Sequence, residues 1–324
     1  LLRTLKQANP LTLHKKGTYA KAMLALAAVS FLWGTTWVAS KAGVKGMPAL
    51  QLASIRQLAG GLIYVSFFAA KGTRFPKGNQ WWPVIVLSLL NFFLSNGLST
   101  WGVKYISSGL GAIIGAVFPL WLVVIALITG STRLAPKAII GFILGFAGIC
   151  VIFYDHLHDF FNADFRFGII ISVAGSLSWA FATLYTKKQA TAFNPYFSIG
   201  LQMIISGIAM GGVSWLSGQH IPFSEIPVES WISIAYLAIA GSVLAFMAYL
   251  YALQHLPTEQ VTIYAYINPI VAILIGSWLF EEKLNSFIIV GGLVALAGVY
   301  LVNEEFRKKK TIPPPESDQA PASQ

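Results

Sequence analysis

The sequence predicts an all-α integral membrane protein in which ten transmembrane helices form two inverted five-helix repeats. Three observations carry this. Hydrophobic residues make up 56% of the chain and charged ones 10%, against roughly 25% charged in an average soluble domain. Apolar stretches long enough to cross a bilayer as helices, about 20 residues each, recur ten times. The last third also repeats the middle third. Gly109 to Leu134, followed by GFILGFAGICVIFY from Gly141, returns 150 residues later as Glu259 to Leu284, followed by GGLVALAGVYLVNE from Gly291.

The spans are 22–40, 49–70, 82–103, 108–130, 136–154, 167–186, 195–217, 231–253, 259–280 and 284–302, joined by short connections. A barrel would alternate in short strands, and these segments do not. Across the repeat, Pro119 falls on Pro269, Gly141 on Gly291, and Ala147-Gly148 on Ala297-Gly298. A shift of 146 extends the match backwards: Ser30, Trp33 and Lys41 fall on Ser176, Trp179 and Lys187, Arg56 on Gln202, and Gly61 on Gly207. Each half therefore holds five spans. Five is odd, so the second half enters the membrane in the opposite sense, which is the geometric basis of alternating access in secondary transporters. The chain divides into a cytoplasmic arm (1–21), a first repeat (22–154), a second repeat (167–303) and a Pro-rich tail (304–324) expected to be disordered.

The net charge of +10 is a topology signal and not a nucleic-acid footprint. With the N-terminus inside, the cytoplasmic segments hold 16 Lys and Arg and the outer ones 5. That bias places both termini in the cytoplasm. No cleavable signal peptide is expected, because the first apolar run is long enough to span. The single cysteine, Cys150, excludes a disulfide framework and a thiolate cluster.

These residues resemble a known family. SFLWGTTWVASKAG in the first span, LASIRQLAGG in the second, YISSGLGAIIGAVFPLW, and NPIVAILIGSWLFEEKL followed by GGLVALAGVYLV are together similar to the EamA-like ten-helix carriers of the drug/metabolite transporter superfamily. The resemblance covers roughly residues 22 to 303. It implies a central cavity lined by the first, third, fourth, sixth, eighth and ninth spans, and export of small metabolites as the commonest activity.

Candidate site residues follow from helical faces. Ser30, Trp33, Trp37 and Ser40 share one face of the first span, and Ser172, Ser176, Trp179, Thr183 and Thr186 one face of the sixth. Either they line a cavity or they pack helices through small hydroxyls; the large indoles favour the cavity. The reading has Trp33 and Trp179 flanking the solute beside Trp37, with Thr36, Thr183 and Asn268 orienting its polar end. The third span adds Asn96 and Trp101, the eighth Phe246 and Tyr249, the ninth Tyr266. Pro269 and Pro119 free the carbonyls of Ala265 and Gly115. Arg56 is the one strong charge well inside a span. It either attracts an anionic solute group or braces backbone carbonyls.

No Asp, Glu or His lies deep in a span, and His156, His158, His220 and His255 fall in loops or at boundaries. That speaks against an intramembrane enzyme, which needs positioned acid, base or metal ligands. It also speaks against a cofactor or metal, and against simple carboxylate proton exchange; a uniporter fits. Glu259 and the Glu281-Glu282 pair read as solvated turns, Trp81, Trp82, Trp215 and Trp231 as interfacial anchors, and Gly141-x-x-x-Gly145 as close helix packing. The expected function is outward transport of a small metabolite, an amino acid or related amphipathic compound, across a bacterial inner membrane. A sugar or nucleotide carrier is the alternative. The partners are that solute and membrane lipid, not nucleic acid, and monomer and homodimer both stay open.

Overall fold

The computed structural model describes residues 16–129, 136–155, 157–188, 194–256, 261, 263–282 and 285–311. Leu134, His156, Glu259 and Leu284 lie outside them. The described residues are helical rods joined by short turns. In chain order these are α1 (Lys16–Gly43), α2 (Ala49–Ala70), α3 (Trp81–Leu87, Ser88–Gly97 and Leu98–Gly102), α4 (Ser108–Ala116 and Phe118–Ile128) and α5 (Pro136–Asp155). After them come α6 (Ala163–Lys188), α7 (Pro195–Leu216), α8 (Val228–Tyr236, Leu237–Leu244 and Ala245–His255), α9 (Tyr264–Phe280) and α10 (Ser286–Thr311). Seven are long and apolar enough to cross a membrane; shorter apolar stretches lie at Ile139–Tyr154, Tyr264–Phe280 and Ser286–Val302.

Local chemistry sets the ends. Ser107 caps α4 by accepting from the Leu110 N–H, and Asn194 caps α7 by accepting from Tyr196 and Phe197, which satisfies amides that a helix start leaves open. α2 and α7 both stop at a glycine with positive φ, Gly72 at 78° and Gly218 at 67°, a conformation that a Cβ disfavours. Those two glycines are 146 residues apart, the spacing of the sequence repeat. α10 runs to Thr311, beyond 303, where the sequence places the start of the tail. Asn303-Glu-Glu-Phe-Arg-Lys-Lys-Lys holds good helix formers, and its cations suit a helix C-terminus.

Two helices change pitch at matched places. Ser88–Gly97 of α3 and Leu237–Leu244 of α8 are π-helical, a widening concentrated at functional sites. The two mid-span prolines behave differently. Pro269 lies inside a continuous α9, whereas Pro119 opens a second helical segment after a break at Val117.

Small residues decide which helices touch. A Cβ at Gly61 of α2 would lie 2.8 Å from the Gly200 carbonyl of α7, and one at Gly207 would lie 2.8 Å from Leu58. A Cβ at Gly141 of α5 would lie 2.7 Å from the Gly298 carbonyl of α10, and one at Gly291 equally close to that of Gly148. In both pairs the contact moves up one helix as it moves down the other, so the helices cross antiparallel with backbones in contact. Large apolar side chains such as Leu24, Phe67, Phe146, Ile208 and Trp278 point outward, while Ser30, Arg56, Gln57, Gln202 and Asn268 are buried. That inside-out distribution suits a hydrocarbon surround.

Candidate solute-binding cavity

A cavity of about 160 Å³ lies among α1, α3, α4, α6, α8 and α9, with Arg56 reaching in from α2. It has space for several waters or one small solute. Eight of the twelve residues read from sequence as solute contacts line it: Trp33, Thr36, Trp37, Arg56, Asn96, Trp179, Phe246 and Asn268. Ser40, Asn91, Ser95, Ser99, Thr100 and Ser176 supply most of the remaining polar wall.

On α1 the two indoles have different settings. Trp33 donates Nε1–H to the Gly241 carbonyl at 3.2 Å, inside the π-helical stretch of α8. Its ring meets Phe246, Tyr249 and Tyr264 at centroid distances of 5.1, 5.1 and 5.0 Å. Trp33 is therefore a wedged wall element. Trp37 instead lies across glycines of α4: a Cβ at Gly115 would fall 2.7 Å from its Cζ2, and one at Gly111 3.1 Å from its Cζ3. The glycines of GLGAIIG make a flat bed for an indole. Thr36 donates its hydroxyl to the Trp33 carbonyl at 2.6 Å and Ser30 to that of Leu26 at 2.7 Å, leaving only oxygen lone pairs for other partners.

Arg56 is buried and held by neutral groups. Nε donates to Ser242 Oγ at 3.1 Å and Nη1 to Asn96 Oδ1 at 3.4 Å. Asn96 Oδ1 also accepts from Gln57 Nε2 at 2.9 Å. Gln57 is fully buried and is a member of this network that helical-face reasoning passes over; an amide beside the one mid-span cation is the signal for it. Of the two sequence readings of Arg56, bracing of backbone carbonyls is not what these contacts show: its acceptors are side chains. Asn91 Nδ2 donates to Gln202 Oε1 at 3.2 Å, and Gln202 Nε2 to Ser198 Oγ at 3.0 Å.

The far wall is α6 and α9. Ser176, 3% exposed, has a hydroxyl without a hydrogen-bond partner, and Ser172 another. Asn268, with its amide oriented by its neighbours, donates to the carbonyls of Ser30 (2.7 Å) and Tyr264 (2.9 Å), tying α9 to α1 just before Pro269. Its donors are thereby engaged.

Trp101, Thr183, Tyr249 and Tyr266 are not among the lining residues. Trp101 packs edge-to-face on Phe167 at 5.1 Å. Thr183 donates to the Trp179 carbonyl at 2.8 Å, one turn beyond the wall. Tyr249 stands behind Trp33. Tyr266 packs with Val117, Val299 and Tyr300; it is two residues from both Tyr264 and Asn268, about 200° round the helix. Glu282 is not a plain solvated turn: its carboxylate accepts from Ser108 N at 2.8 Å, Ser108 Oγ at 2.9 Å and Gly109 N at 3.5 Å. It caps α4, where open amides and the helix dipole favour an anion. Among the described residues no group of His, Cys, Asp and Glu could hold a metal ion.

The model of the EamA-like transporter family matches twice, over residues 20–154 and 166–304. The chain is 28% identical over 266 residues to the uncharacterized inner membrane transporter YedA of Escherichia coli K12, covering 81% of this chain and 84% of that one. It is 28% identical over 294 residues to the uncharacterized transporter YvbV of Bacillus subtilis (89% and 93% covered). It is 24% identical over 286 residues to the chloroplastic WAT1-related protein At3g02690 of Arabidopsis thaliana (84% and 67%). A solved crystal structure shares the fold with a TM-score of 0.60 at 16% identity, covering 87% of this chain and 97% of its own.

Proposed function

Because this chain belongs to the EamA-like transporter family, and so is a membrane transporter, we propose that it moves a small amphipathic metabolite outward across a bacterial cytoplasmic membrane by alternating access. The observation that carries the reading is the cavity: polar and aromatic side chains from both family-matched halves enclose one space within an apolar bundle. Transporter sites of this kind form at a repeat interface near the bilayer midplane.

In this reading ten spans form two inverted five-helix repeats, and both termini are cytoplasmic. Helices related by a two-fold axis in the membrane plane run antiparallel. The antiparallel crossings of α2 with α7 and of α5 with α10 support that relation. The matched π-helical stretches and the glycines ending α2 and α7 support it too. The 16 to 5 distribution of cations supports the orientation. Trp179, Trp37 and Phe246 offer apolar surface to the solute, and Asn96, Asn268 and Ser176 polar contacts.

The test is transport by purified protein in liposomes loaded with candidate metabolites. Saturable flux with counterflow of unlabelled solute, and recovery of the solute unchanged, is the expected result. Flux that never saturates, or a chemically altered solute, overturns the proposal.

A further inference from the structure

We infer that the cargo of this cavity is a net anion: a small carboxylate on an apolar body, its carboxylate meeting Arg56 and its body lying against the indoles. The inference rests on the carrier reading above and adds the charge of the solute. Arg56 is the charged member of the lining residues, and no Asp or Glu is among them. Its two hydrogen bonds go to neutral oxygens, one of them long at 3.4 Å, although a guanidinium carries five donors. Nη2 makes no hydrogen bond among the described residues. It packs beside Gly241, where a Cβ would lie 3.2 Å away, so the missing side chain lets α8 close against the guanidinium.

A buried charge without a counter-charge is destabilising, and an arriving anion offsets that. Planar carboxylates match the guanidinium fork. Ser176, also in the wall, has a buried hydroxyl with no hydrogen-bond partner. A cationic amine finds no carboxylate in the wall, and the ammonium of a zwitterion finds none either. The wall therefore selects against both and for a carboxylate alone.

Thermal unfolding of the full chain in lipid nanodiscs, titrated with 3-phenylpropionate, 3-phenylpropionamide, 3-phenylpropylamine and phenylalanine, tests this. The carboxylate is expected to stabilise at concentrations about ten-fold or more below the other three, the scale of a hydrogen bond to a charged group. Arg56→Gln is expected to bring that ratio to about one. Should it fail to fold, Asn96→Asp, which sets a carboxylate beside Nη1, is expected to abolish the preference in folded protein. An amide as good as the acid, preference for the amine or the zwitterion, no stabilisation by any probe, or a preference that survives in a folded variant overturns the inference. Saturable counterflow of a neutral or cationic solute overturns it while leaving the carrier reading intact; loss of all saturable flux removes the reading beneath.

Discussion

Arg56 and Gln202 occupy matched places on α2 and α7, and each reaches the π-helical stretch of a helix in the opposite half. Arg56 meets Ser242 of α8 at 3.1 Å, and Gln202 meets Asn91 of α3 at 3.2 Å. One contact is charged and the other neutral. The duplicated scaffold thus carries a single cation at one of two equivalent positions, and that asymmetry gives the cavity its positive side.

The neutral contact is a stability device with a measurable cost. Gln202→Leu strands the Asn91 amide and the Ser198 hydroxyl and is expected to destabilise by about 1–3 kcal/mol. Adding Asn91→Leu removes the orphaned donor, so the double variant should recover part of that loss. Thermal unfolding of the three proteins in detergent checks it. A double variant as destabilised as the sum of its parts would show that the two amides do not depend on each other.

Gly115 and Trp37 make a sharper pair. A Cβ at residue 115 would stand 2.7 Å from the indole, so Gly115→Ala must displace Trp37 into the cavity. The expected cost is about 1–3 kcal/mol of overpacking, together with a raised half-saturating concentration in flux assays. Trp37→Leu in the same chain vacates the ring and should restore stability without restoring affinity. Wild-type behaviour of Gly115→Ala would place Trp37 elsewhere.

The site was legible where side-chain spacing is the message and illegible where a neighbouring side chain intervenes. Trp33, Trp37 and Trp179 follow from simple helical faces, and Arg56 from being the lone mid-span charge. Asn96, Ser99 and Thr100 line the cavity, while Trp101, about 100° round the helix from Thr100, turns to Phe167. Tyr249 shares a helical face with Phe246 but packs against Trp33, which takes the wall position in front of it. Tyr266 is a different miss, since ordinary helical arithmetic already sets it opposite Asn268. Glu282 reads as a turn residue because the helix start it caps is 174 positions away in sequence.

Orientation is checked by labelling in a Cys150→Ser background. A cysteine at His220, in the exposed turn after α7, should react with an impermeant thiol reagent in intact cells. A cysteine at Lys309 should react only after lysis. Labelling of both in intact cells defeats the assignment of both termini to the cytoplasm.

The two repeat-matched tryptophans are expected to fail in different ways. Trp33 is fixed by a hydrogen bond to Gly241 and by three neighbouring rings. Trp33 is partly buried, so Trp33→Ala should cost less than a fully buried aromatic would, about 3–5 kcal/mol, but enough to lower the yield of folded protein. Trp33→Phe keeps most ring contacts and loses the donor, for about 1 kcal/mol. Trp179 lines the cavity with no side-chain hydrogen bond or ring contact among the described residues. Trp179→Ala should therefore fold normally and raise the half-saturating concentration about three- to ten-fold, the worth of one aromatic contact. Thermal unfolding and flux on the same preparations separate the outcomes. Equal stability losses at both positions would make Trp179 a packing residue, and unchanged transport by a folded Trp179→Ala would put the solute away from α6.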